Sequence, residues 1–157
     1  MRPILVLVSV VVAGVLTVAT ASSAAVSHHA ALVIHHQTRG CHAWALNGGS
    51  YRVSQVVHLV KGGSLTVTDN DVMSHRLIKL SGRSVAIKLL NAGTATTGKL
   101  KPPYSVGLMP HMGATLRVTF GKPGTYKFTT KEGKDYYPGI NTVGADNVLH
   151  ATVIVSP

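Results

Sequence analysis

Short apolar or alternating runs recur along the chain: ALVIHH, AWAL, SQVVHLV, SLTVTD, RLIKL, SVAIKLL, ATLRVTF, TYKFTT and HATVIVS. They are rich in Val, Ile, Thr and Tyr, and Gly, Asn and Pro stand between them, which is the pattern of half-buried strands. No stretch carries a helical stripe, a heptad, an internal repeat or an N-glycosylation sequon. Asn47, Gly48 and Gly49 suit a tight reversal. So do Lys61, Gly62 and Gly63, and the Gly121 to Gly124 segment, because glycine accepts positive φ. The spacing predicts an all-β fold, an antiparallel sandwich or barrel of about seven to eight strands. The segment from Ser81 to Val106, with Gly93, Gly98, Pro102 and Pro103, is the least regular and reads as an insertion.

The first residues follow another rule. Met1 and Arg2 precede ILVLVSVVVAGVLTVATA, and the small-residue exit Ala19, Thr20, Ala21 follows, as in a secretory signal peptide. We expect residues 1–25 to be the leader, cleaved near 21–25, and residues 26–157 to form one domain. The alternative is an uncleaved anchor, since the apolar run approaches the roughly 20 residues that span a bilayer. Either way the domain is expected outside the cytoplasm, secreted or in the periplasm or at the cell surface. About 132 residues suffice for one core.

Charge adds a weaker clue. Fifteen Lys and Arg less Arg2, against five Asp and Glu, leave +9 on the mature chain. Such a field steers acidic partners. The basic residues are scattered between strands and few aromatics accompany them, so no nucleic acid is expected.

Cys41 is the only cysteine, set among His35, His36 and His42. In an oxidising compartment an unpaired thiol is an intermolecular link, a buried inert group, a nucleophile or a metal ligand. Free cysteine often packs as a small hydrophobe, and no surrounding signature marks a cysteine hydrolase.

Two segments carry more than a generic strand signal. LVKGGSLTVTDNDVMSH resembles the cupredoxin (plastocyanin/azurin-like) pattern, in which a strand after a glycine turn leads through an Asn-rich corner to a copper-binding histidine, here His75. MGATLRVTFGKPGTYKFTT resembles the strand, turn and strand before the cupredoxin cysteine, with Gly113, Phe120, Gly124, Tyr126 and Phe128 in place. The likeness spans roughly residues 31 to 156 and implies a Greek-key β-sandwich.

The departure is as informative. Where the family supplies cysteine, histidine and usually methionine from one loop, this chain has TTKEGKDYYPGINTVGADNVLH, with Thr129 or Thr130 at the cysteine position. The missing ligand types occur elsewhere. The cupredoxin topology implies that the His36 to His42 corner, His75, and Met109, Pro110, His111, Met112 share one end of the sandwich. Thiolate, imidazole and thioether together select copper over hard cations. The expected site is Cys41 as thiolate, His75 with one of His42, His111 or His36 as imidazoles, and Met109 or Met112 as thioether. His35 and His36 point to opposite faces of a strand and cannot both reach one metal. The expected function is that of an exported copper-binding protein, not an enzyme, serving one-electron transfer or copper handling, with a copper ion and an acidic redox or surface partner. The alternative is a metal-free sandwich binding an acidic partner at the cell surface.

Overall fold

A computed structural model describes residues 26–36, 42–94, 100–132 and 149–157. Among these residues there is no helix. Ten strands are present: β1 (Ser27–His36), β2 (His42–Leu46), β3 (Tyr51–Arg52), β4 (Ser54–Asn70), β5 (His75–Ser81), β6 (Ala86–Asn91), β7 (Leu108–Met109), β8 (Ala114–Thr119), β9 (Gly124–Glu132) and β10 (His150–Ser156). The leader predicted for residues 1–25 lies outside the described residues.

The long strand β4 organises the sandwich. Its first half, Ser54 to Val60, pairs with β10, and the second half, Ser64 to Asp69, lies between β1 and β8. One layer therefore reads β3-β2-β1-β4-β8-β6 and the other β4-β10-β9-β5-β7. Between the halves, Gly62 takes φ +82, and a Cβ on Gly63 would stand 2.8 Å from the Val60 carbonyl oxygen. Both glycines are needed to carry the chain from one layer into the other, with Gly62 N–H donating to Phe120 O and Phe120 N–H to Gly63 O. The reversal expected here does not occur: β4 runs on in one direction from Ser54 to Asn70, parallel to β1 on both sides of the glycines, and only passes from one layer into the other. The Gly121 to Gly124 segment likewise joins β8 to β9 across the layers. Asn47 (φ 49) and Gly48 (φ 74) close a hairpin between β2 and β3.

The all-β sandwich is as expected, with two differences. There are ten strands, and the pairings are mixed, because β1 and β10 both run parallel to β4. Alternation of apolar and polar positions marks a half-buried strand whatever the direction of its neighbour, so direction follows only from the path of the chain. Within the expected insertion, β6 pairs with β8 as an edge strand, with a register shift between Leu89 and Asn91.

The core lies where the two layers face each other, and every second residue contributes: Leu32 and Ile34, Leu65 and Val67, Leu116 and Val118, Tyr126 and Phe128, Val153 and Val155. Phe120 meets Tyr126 and Phe128 edge to face at 5.0 and 6.1 Å, arrangements that contribute about 0.5–1.5 kcal/mol each beyond area burial. The Tyr126 hydroxyl donates to Lys122 O at 2.6 Å, which satisfies its polar end.

Candidate functional site

At one end of the sandwich the inward positions stop being apolar. Along β4 the inward series runs Leu65, Val67, Asp69; along β9 it runs Tyr126, Phe128, Thr130; β5 begins with inward His75 before Leu77. Side chains two apart share a face of a strand, so the same alternation that builds the core delivers a carboxylate, a hydroxyl and an imidazole to its end. All three are buried, Asp69 and His75 completely. The ladder places Met109 directly opposite His75, and Leu77 opposite Thr130. Met109 is also fully buried, and Met73 nearly so.

The corner between β4 and β5 fixes the histidine. Asp69 Oδ1 accepts the Asp71 N–H at 3.1 Å and Asp71 Oδ1 accepts the Met73 N–H at 3.2 Å, two successive turns closed by side-chain carboxylates. They aim the chain so that His75 Nδ1 lies 2.9 Å from Asp69 Oδ2 and 3.1 Å from Met73 O. Both neighbours are acceptors, so Nδ1 carries the hydrogen and donates it to them. Burial opposes charge on His75, but the hydrogen bond it donates to Asp69 and the negative charges of Asp69 and Asp71 outweigh it and hold the imidazole proton above the ordinary histidine range. Burial likewise pushes the Asp69 carboxyl up, only partly offset by His75. The two shifts agree in one respect: the pair retains its proton.

His111 is buried, and its Nε2 lies 3.3 Å from the Tyr104 hydroxyl, with the rings edge to face. Its turn is closed by Ala114 N–H donating to His111 O and tied to the site by Gly113 N–H donating to Asp69 O. Gly93 (φ +77) packs against this turn so closely that a Cβ would sit 2.5 Å from Met112 O and 2.6 Å from His111 O. Met112 faces outward, 49% exposed, so of the two methionines considered only Met109 points into the core end.

The register of β1 places the third segment. His35 stands beside Asn70 of β4, and His36 opposite His42 of β2. The strands flanking residues 37–41 thus end at the same end of the sandwich as Asp69 and His75. Cys41 itself lies outside the described residues, as do the side chains of His36, His42 and Glu132 and all of Asp135, Tyr136 and Tyr137. Of the other histidines, His35 is exposed against the ring of Tyr51, and His150 is exposed. Asp69 was not among the residues the sequence singled out. Its signal was parity: it continues the inward series after Leu65 and Val67.

Among the described residues, no three His, Cys, Asp or Glu side chains form a group able to hold a metal ion. The donors that are described suit a soft metal better than a hard one. A carboxylate holding Nδ1–H is the arrangement that orients a histidine binding metal through Nε2, and a fully buried thioether lies across the ladder from it.

No family model matches the chain, and no curated protein does. Among solved structures, the chain is similar to "Solution Structure of Amebosin" at 15% identity and a TM-score of 0.31, over 66% of this chain and 88% of that one. It is also similar to "Crystal structure of multi-copper oxidase from Pediococcus acidilactici" at 11% identity and a TM-score of 0.33, over 87% of this chain and 28% of that one. At these scores neither likeness bears on the chemistry of this chain, which rests on its own residues.

Proposed function

We propose that this is an exported, cupredoxin-like copper-binding protein whose site is assembled at the polar end of the sandwich. Cys41 supplies a thiolate, His75 an imidazole through Nε2, Met109 a thioether, and one of His36, His42 or His111 the second imidazole. The observation that carries this reading is the buried His75, its Nδ1–H fixed by Asp69 and Met73 O and its ladder partner a buried methionine. Bound copper would supply one-electron redox chemistry. The protein's part is to hold the imidazole in one orientation, to keep water from the core end and to set the proton on Nδ1.

Whether the site serves electron transfer or copper handling is decided by titration. The purified protein is reduced and titrated with copper beside Cys41→Ser and His75→Ala, reading bound metal per chain and the visible spectrum. One copper with an intense thiolate band, lost in Cys41→Ser, supports electron transfer. Tight Cu(I) binding without a coloured Cu(II) form supports handling. No stoichiometric copper refutes the site.

A further inference from the structure

The surface of the described structure is charged in one sign. Asp69 and Asp71 are the only acidic residues whose side chains are described, and both are buried, at 0% and 1% exposure. The other three, Glu132, Asp135 and Asp146, lie outside the described side chains. No Lys or Arg among the described residues is ion-paired to a carboxylate. On the outer faces, cations are set directly across from cations. Arg76 of β5 stands opposite Lys131 of β9 on one layer, and Lys88 of β6 opposite Arg117 of β8 on the other. All four are exposed. Like charges directly opposed on a ladder are destabilising, with Cβ atoms only about 4.5–5.5 Å apart. The Ser105 hydroxyl accepts from the Arg76 guanidinium at 2.8 Å and steadies it without neutralising it.

We propose that both outer faces bind an extended, flexible polymer carrying repeated phosphate charges. Two long cationic side chains rooted about 5 Å apart can converge on one tetrahedral oxyanion, which offers oxygens to both. A carboxylate, with two oxygens, satisfies one such cation at a time in the bidentate manner Arg favours. The presence of a pair on each face selects the shape of the partner: a folded protein or a planar membrane meets one face, whereas a flexible chain passes round the sandwich and meets both. Bases would find little to stack on, because Tyr51 is the only exposed Tyr, Trp or Phe among the described residues. This surface stands whether or not the chain takes a metal.

The test is fluorescence anisotropy of labelled long-chain inorganic polyphosphate over a range of salt, with the full protein, R76Q/K131Q, K88Q/R117Q and the fourfold variant. The slope of log K against log salt should fall by about 1–2 for each pair and by their sum for the fourfold variant. R76K/R117K, which keeps the charge, should keep the slope, and the urea midpoints should not fall, since repulsion is being removed. Four results would overturn the proposal: no binding near physiological salt; complete loss from one pair with none from the other; stronger binding to anionic phospholipid vesicles, governed by one face; or preference for single-stranded DNA over polyphosphate of equal charge.

Discussion

Asp69→Asn is the sharpest probe of the polar core end. The amide keeps the shape of the carboxylate and an Oδ1 able to accept the Asp71 N–H at 3.1 Å. In place of Oδ2, however, an NH2 would face His75 Nδ1 at 2.9 Å, donor against donor. The ring must then move its proton to Nε2 and give up the hydrogen bond to Met73 O as well. Hydrogen bonds to charged groups contribute about 1.5–3 kcal/mol, and removing one partner of a buried charged pair costs about 3–5 kcal/mol. The amide retains part of the network, so about 2–4 kcal/mol of destabilisation is expected. With a urea slope of about 2 kcal/mol per molar, the midpoint falls by about 1–2 M. Trp44, the only tryptophan and fully buried, reports the transition by fluorescence. Combining Asp69→Asn with His75→Gln in a double-mutant cycle isolates the pair, and a coupling of about 1.5–3 kcal/mol is expected. A coupling below about 0.5 kcal/mol would show that the two groups are merely neighbours, and the reasoning from the shared proton would fail.

Two further outcomes follow from the same end of the molecule. In the metal-free protein the raised His75 proton affinity contributes stability that is complete below the ordinary value of 6.5 and lost as pH rises through the folded value; urea midpoints should decline as pH rises above the ordinary histidine range, and the decline should flatten in Asp69→Asn. Gly93→Ala places a Cβ against the carbonyls of His111 and Met112 at φ +77; a strained left-handed residue costs about 1–3 kcal/mol before the clash is counted, so a loss of at least about 2 kcal/mol is expected in urea unfolding, and an unchanged midpoint would show that the His111 turn does not depend on this contact.

The strands were legible because a half-buried sheet forces a period of two, and SLTVTD or TYKFTT can satisfy it in no other way. The glycines at 62 and 63 were legible as a special backbone position, since positive φ and the absence of a Cβ are local requirements, but the reversal expected of them is instead a passage within one strand. Neighbours and their directions were not, because whether β1 lies parallel to β4 is settled by chain path rather than by any residue of ALVIHH. In the site, His75 stood out through the cupredoxin-like pattern that ends on it, whereas Asp69, the last residue of the run SLTVTD, did not. Its parity with Leu65 and Val67 marked it as inward, but a carboxylate inside a core becomes sensible only once a histidine from another strand is seen to meet it. Met109 and Met112 were indistinguishable in sequence; a ladder to β5 turns one inward and leaves the other at the surface.

The place of β10 governs how the molecule can come into being. Residues 150–156 form the strand between β4 and β9, so the second layer has no continuous sheet until these residues are present. The edge of β4 that awaits β10 is closed by a strand 96 residues further on, His150 against Ser54 (150 − 54), and pairings of such separation place assembly in the millisecond-to-second range. A chain emerging from its N-terminus would wait with the edges of β4 and β9 open, and capture or pairing by another chain during that interval is the hazard the topology creates.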